Sequence, residues 1–297
     1  MTVQSILCAV DFSEQSRDAL RWAGTFAVRF QSRLTVLTVV EPLLAEAARI
    51  RLGQDLVNTT DSALREFVAG TWANNAPAEH ITFKTETGEP PATILATATS
   101  DAVDLIVVGT QGLGGIRKWL IGSTTERLLR RTHVPVLAVP PTHDGTMTTQ
   151  ADDERFAIER ILAAVDFSAP SLAAVDTAAQ LAERFSATLT LAHVVFPLTV
   201  PPFAPSLLDE TNTARLEDAR RRLNELGKQF TRARQSEPVV SMAAPADAIA
   251  ALANDGRAQL IVMGLASDEG YRAPRPGSIA YRVLCSTTVP VLVVPAS

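Results

Sequence analysis

The octapeptide Ile6-Leu7-Cys8-Ala9-Val10-Asp11-Phe12-Ser13 returns 155 residues later as Ile161-Leu162-Ala163-Ala164-Val165-Asp166-Phe167-Ser168, with one change in eight. DLIVVG at residues 104–109 returns at the same displacement as QLIVMG at 259–264, and VPVLAVP at 134–140 returns as VPVLVVP at 289–295. A displacement that holds at the start, middle and end of a unit means a duplicated domain. The 297 residues therefore divide into domains at 1–140 and 158–297. Residues 141–157 are polar and aperiodic and read as a linker.

Composition sets the class of each unit. Hydrophobic residues make up 46% and charged residues 20% of the chain, which is enough apolar surface for a packed core and too much for a disordered chain. Both halves carry a slight acidic excess, with 13 Lys/Arg against 15 Asp/Glu in residues 1–150 and 14 against 17 in the remainder. That balance argues against a nucleic-acid partner, which calls for a basic surface. No apolar run approaches the roughly 20 residues of a membrane span, and the N-terminal stretch lacks the basic flank of a secretory leader. The two cysteines, Cys8 and Cys285, have no zinc or redox spacing, and a reduced cytoplasmic setting is expected.

Within each copy, short Val/Ile/Leu runs alternate with helical patterns. In the first copy the runs fall at 6–10, 34–40, 81–85, 105–108 and 136–139. Continuous apolar runs predict strands buried on both faces, as in a parallel sheet covered by helices. Ala19, Leu20, Ala23, Phe26, Ala27 and Phe30 form one stripe of a first helix, with Ser13 as its N-cap. Further helices are expected near 59–72, 91–99 and 123–131, and an Ala-rich one near 41–50. The predicted fold is α/β, with two tandem open doubly wound sandwiches.

Ligands of such sheets bind outside the carboxyl ends of the strands, where the strand order reverses. Strand one ends in Asp11. Strand four ends in Gly109 and opens a segment containing Gly112, Gly114, Gly115, Arg117, Lys118, Gly122, Ser123 and Thr124. Glycine lets backbone N–H groups approach an anion closely, and the cations add charge, so the segment has the ingredients of a phosphate cradle. Turn chemistry alone would also use these glycines, and Asp11 and Asp166 would also serve as helix caps.

The spacing Gly109-x2-Gly112-x9-Gly122-Ser123 after a buried strand, together with VDFS at the end of strand one and VPVLAVP at the last strand, resembles the universal stress protein family. The resemblance covers nearly the whole chain as two copies. It implies a five-stranded parallel sheet of order 3-2-1-4-5 in each copy, and ATP as ligand, with Mg2+ or Mn2+ at the phosphates. The implied nucleotide-binding residues are Ala9, Val10, Asp11 beside the nucleoside, Val39 through its backbone, and Gly109, Gly112, Gly114, Gly115, Arg117, Gly122, Ser123 and Thr124 around ribose and phosphates. It also implies pairing through the final strand, between the two copies or in a homodimer.

The second copy departs from that pattern. Ala164, Asp166, Val194, Gly264, Ser267, Gly277 and Ser278 are its candidate site residues, but Ser267 replaces a glycine, and Asp268 and Glu269 place negative charge where the first copy has Leu113 and Gly114. A Cβ and like charges oppose triphosphate binding, so this copy is expected to bind weakly or not at all. Arg220, Arg221 and Arg222 read as a solvated helix face, Cys8 as a small buried hydrophobe, and His193 as a packed strand residue. The Pro-rich stretch 196–205 cannot be helical.

Three function classes follow. A nucleotide-binding stress-response regulator ranks first. A slow ATPase or other adenine-nucleotide hydrolase is the alternative, with a scaffold of decayed sites behind it. The chain has no HxGH, GxxxxGK[ST] or GxSxG motif, and no base or nucleophile beside the loop apart from hydroxyls and Asp11, so a non-enzyme is expected.

Overall fold

The structure, a computed structural model, describes residues 2–52, 55–72, 81–111, 121–141, 157–198, 206–265, 267–268, 271–272 and 278–296. The chain splits into two compact units, essentially residues 2–157 and 158–297. The expected linker, 141–157, lies outside the described residues except for Pro141 and Ala157.

In the first domain β1 (Ser5–Ala9), β2 (Arg33–Val40), β3 (Ile81–Thr87), β4 (Leu105–Gly109) and β5 (Val136–Val139) alternate with α1 (Glu14–Phe30), α2 (Pro42–Leu52), α3 (Leu56–Trp72), α4 (Pro90–Ser100) and α5 (Ser123–Leu129). The strands pair in parallel in the order β3-β2-β1-β4-β5. The chain works outward from β1 to β3, then crosses back to β4 and β5. With right-handed crossovers, that reversal puts the outward and returning helices on opposite faces. Accordingly α1 packs with α3, and α4 with α5. Ile6, Leu7 and Cys8 of β1 and Leu105, Ile106 and Val107 of β4 are wholly buried, as unbroken apolar runs require. Burial pushes the Cys8 thiol pKa far above its ordinary value, which leaves it an inert hydrophobe.

The second domain repeats the plan with β6 (Arg160–Ala164), α6 (Ala169–Phe185), β7 (Thr188–Val195), α7 (Ser206–Gly227), β8 (Arg234–Gln235), β9 (Val239–Met242), α8 (Pro245–Asp255), β10 (Leu260–Leu265), α9 (Ile279–Ser286) and β11 (Val291–Pro295). Here the expected third strand is in two pieces. β8 pairs with Thr188 and Leu189, and β9 with Ala192–Val195. Between them stands Pro238, which has no N–H to give to a ladder. By the 155-residue displacement its counterpart is Phe83, and β3 runs unbroken there.

The start of each first strand is held in one way by two different side chains. The Asp104 carboxylate accepts the N–H groups of Gln4 and Ser5 at 2.7 and 3.0 Å. In the second domain the Gln259 amide oxygen accepts those of Glu159 and Arg160 at 3.3 and 2.8 Å. Either oxygen satisfies two backbone donors that would otherwise lack a partner.

Candidate ligand sites in the two domains

The turn after β1 is a short relay of hydrogen bonds. One Asp11 carboxylate oxygen accepts both the backbone N–H and the hydroxyl of Ser13, at 3.1 and 2.5 Å. The Ser13 Oγ in turn accepts the N–H of Ser16 at 3.1 Å and caps α1. Asp11 is therefore not the helix cap. It holds the cap in place, across a turn whose middle residue, Phe12, has φ of 66°, a region that costs a bulky L-residue energy. The second domain copies the device with Asp166, Phe167 at φ 64° and Ser168. Partial burial pushes the Asp166 carboxyl pKa up, but hydrogen bonds from the Ser168 and Ser171 side chains and the Ser168 amide outweigh it, and the net shift is downward.

The glycine ending β4 has a packing reason for its identity. A Cβ on Gly109 would lie 3.3 Å from the backbone oxygens of Gln15 and Gln111, and one on Gly264 would lie 2.5 Å from the backbone C and O of Pro170. The first turn of α1, or of α6, passes over this point, so only glycine fits without a shift. Gly122 closes the first-domain loop. Its N–H donates to Thr110 O at 2.7 Å, and the Thr125 hydroxyl bonds Gly109 O, also at 2.7 Å. Both ends of the segment are thereby pinned together beyond β4, next to the β1 turn, at the point where the strand order reverses.

At the second of these segments the hydroxyl of Ser278 accepts the N–H of Tyr281 at 3.2 Å and caps α9. In the first domain no side chain caps α5, and Ser123 is its exposed first residue. The serines at equivalent positions thus do different work.

A cavity of about 800 Å³ lies wholly within the second domain, between the ends of β6 and β7 and one face of α7. Thr211, Ala214, Arg215, Asp218, Ala219 and Arg222 supply the helix wall, a spacing that keeps them on one side of an α-helix. The Arg222 guanidinium sits 3.9 Å from the centroid of the Phe167 ring, which also stacks at a tilt on His193 at 4.8 Å. His193 Nδ1 is 2.6 Å from Val165 O, so that nitrogen carries the proton and donates. Asp218 pairs with Arg221. Arg215 Nη1 is buried with no hydrogen-bond partner among the described residues.

At the equivalent position of the first domain stands a buried aromatic residue. Phe67 stands on α3 where Arg222 stands on α7. It is 8% exposed, and meets Phe12 edge to face at 5.6 Å. Arg17 lies over its ring at 4.4 Å, and also donates to the Thr71 hydroxyl at 3.1 Å.

The structure brings together Ala9, Val10, Asp11, Gly109 and Gly122, with Ser123 and Thr124 on the first turn of α5 and Val39 near the end of β2. Gly112, Gly114, Gly115, Arg117 and Gly277 lie outside the described residues, and Ser267 belongs to a two-residue extended segment. Of the second set, Asp166 and Val194 line the cavity. Ala164, Gly264 and Ser278 are not among its lining residues. Arg215 and Arg222 were not expected there; Arg220, Arg221 and Arg222 are all exposed, as a solvated face requires, with Arg221 paired to Asp218 and the Arg222 guanidinium over the Phe167 ring. The displacement held the signal, since it sets Arg222 opposite Phe67, an apolar position of an amphipathic helix.

Comparison with known proteins places the chain. The model of the universal stress protein family matches residues 2–140 and again 157–295. A universal stress protein of Mycolicibacterium smegmatis is 26% identical over 99% of this chain and 97% of its own length. One from Methanocaldococcus jannaschii is 29% identical over 46% of this chain and 81% of its own. The crystal structure of a universal stress protein from Archaeoglobus fulgidus shares the fold with a TM-score of 0.66, at 21% identity over 99% of this chain and 96% of that one. With two repeats that together span almost all of its length, the chain belongs to the universal stress protein family.

Proposed function

We propose that the protein is a nucleotide-binding regulator, without a catalytic role, that takes ATP in its first domain. The carrying observation is the closure of the first-domain loop: Gly122 N–H on Thr110 O at 2.7 Å sets the two ends of a glycine-rich, Arg-Lys-containing segment beside the Asp11 turn. That is where an open α/β sheet offers backbone donors to a ligand. In this reading Val39 meets the base through its backbone, Asp11 lies by the nucleoside, and the loop from Gly109 to Ser123 wraps the phosphates. Nucleotide binding regulates only by favouring one conformation or partner surface over another. Among the described residues no group of three or more His, Cys, Asp or Glu stands together, so in this reading a divalent ion is held by the phosphates, with Ser123 and Thr124 as the nearest hydroxyls. Pairing through the final strands, within the chain or in a homodimer, is the proposed mode of assembly.

Calorimetric titration of the full chain with ATP and Mg2+ tests the reading. One saturable event is expected, and Gly112→Asp should weaken it at least about a hundredfold by adding bulk and charge to the cradle. Unchanged affinity in that variant would remove the loop from the site. Sustained release of phosphate over many turnovers per minute would replace the regulator with an enzyme.

A further inference from the structure

The second helix of the first domain is folded with its larger apolar side chains outward. α2 packs against α3, and the residues it turns inward are small: Ala48 is buried and Ala45 half-buried. Leu43, Leu44 and Ile50 are 80%, 60% and 67% exposed. Leu43, Ala47 and Ile50 follow the i, i+4, i+7 spacing of one helical stripe, and all three are exposed. Contiguous exposed apolar side chains mark an interaction surface, and the flanks of this one define what fits it. Glu46 and Arg49 lie on one flank, Leu44 and Arg51 on the other, and all four are exposed.

We propose that this stripe is a contact between two copies of the chain, α2 against α2 in antiparallel, about a two-fold axis at Ala47. Such an axis keeps each flank beside its own copy, so the pair attracts only if one flank carries both signs of charge, as Glu46 and Arg49 do. At a rise of about 1.5 Å per residue, every matched pair is level to within about 1.5 Å. Leu43 meets Ile50 of the second copy, Glu46 meets its Arg49, and Leu44 lies under the stem of its Arg51. Ala47 faces itself, and its small side chain lets the helix axes approach to the usual packing distance of about 8–10 Å. A parallel pair would leave Glu46 about 7.5 Å along the axis from Arg51, the nearest cation on the facing flank. The second domain has Pro202 and Pro205 at the positions of Ala47 and Ile50, and proline interrupts a helix. The chain thus carries one self-complementary patch of this kind, which closes a pair and propagates no further. The proposal rests neither on ATP binding nor on pairing through the final strands.

Sedimentation velocity of the full chain, from about 1 to 300 μM, tests it. One short helix per chain is at the low end of interface size, so an association with Kd of about 10–100 μM is expected. Ile50→Asp, at an exposed position, should weaken it at least about tenfold. Glu46→Arg and Arg49→Glu each set like charges together at both ends of the symmetric pair and should weaken it about fivefold. An equimolar mixture of these two single variants restores both ion pairs between chains and should associate like the parent, a rescue that an ion pair within one helix cannot give. Pairing through the final strands would survive every one of these substitutions. Association that Ile50→Asp leaves unchanged, its absence in the parent, or a mixture that associates no better than its components overturns the proposal. Binding of the parent to vesicles of anionic phospholipid, lost in Ile50→Asp and without self-association, would also overturn it and assign the face to a membrane surface.

Discussion

At one corner the two domains hold the same backbone and opposite side chains. After β1 and after β6 the chain makes the same Asp-Phe-Ser turn, with the aromatic residue at positive φ and the serine capping the next helix. Over the first turn lies Phe67, closing an aromatic cluster with Phe12 and Arg17. Over the second lies Arg222, and beneath it the cavity. The turn belongs to the fold, since both copies keep it whatever stands above. What distinguishes the domains is the inner face of one helix, α3 against α7. A single aromatic-to-arginine difference there replaces a buried ring with an exposed guanidinium over Phe167.

The largest test of this division concerns the part held in common. The glycines after β4 and β10 are both packing glycines, but the second is tighter, at 2.5 Å from the Pro170 backbone against 3.3 Å at Gln15. Gly264→Ala has to push the backbone of α6 outward and is expected to cost about 3 kcal/mol or more, against about 1 kcal/mol for Gly109→Ala. All three tryptophans, Trp22, Trp72 and Trp119, are in the first domain. Urea unfolding followed by fluorescence therefore reports that domain, and circular dichroism reports both. Equal losses at the two glycines would mean that α1 and α6 approach their sheets alike.

Next comes the part that differs. Phe67→Ala removes a buried ring and leaves Phe12 and Arg17 without their partner, at an expected cost of about 3 kcal/mol seen by fluorescence. Arg222→Ala removes only an exposed cation–π contact, worth about 0.5–1 kcal/mol, and should lower second-domain stability, read by circular dichroism, by no more than that. A cost at Arg222 as large as that at Phe67 would make the arginine a core residue and end the contrast.

How far the sequence reveals this depends on what carries the information. The 155-residue repeat and the unbroken apolar runs made the strands and most helices legible, because burial on two faces leaves a continuous pattern; the sheet order came only with the family resemblance. Ser13 was legible as a cap because its oxygen has one partner to find within three residues. The split of the third strand in the second domain was carried by Pro238 alone, one residue in a half-buried edge. The cavity was legible only in part: Asp166 and Val194 were expected at a ligand site and line it, but its helix wall was not foreseen. Arg220, Arg221 and Arg222 are adjacent on the chain and 100° apart on the helix, so a basic run hides that only one of them turns toward Phe167. Gly109 was legible as special, but a ligand and a passing helix both demand a missing Cβ, and only coordinates reveal the helix.

A smaller effect should appear at the caps, where the domains are expected to agree. Ser13→Ala and Ser168→Ala each break both the bond to the aspartate and the bond to the helix, at about 1 kcal/mol apiece. Ser13 is the more buried of the two and should cost slightly more. A loss at one serine only, in paired denaturation curves, would show that the shared turn is not equally needed.

The smallest effect separates the domains by pH. Lys84 on β3 reaches the Asp101 carboxylate with Nζ at 2.8 and 2.9 Å, tying the edge strand to the end of α4. The hydrogen bond from Lys84 is the main reason that Asp101 is held below the ordinary carboxylate pKa; partial burial works the other way, and Ser100 adds to the lowering. A carboxyl whose pKa is lower when folded stabilises the native state fully above its unfolded value, about 3.9, and loses that contribution as pH falls through the folded value. The equivalent residues in the second domain are Val239 and Gly256, which cannot titrate. Lys84→Met keeps most of the stem and removes the charge, so it should lower first-domain stability by about 0.5–1 kcal/mol at neutral pH. The gap between parent and variant should close as Asp101 takes up its proton. Fluorescence-monitored unfolding from neutral pH into acid measures that gap, and one that stays constant into acid would assign the contribution to packing of the lysine stem.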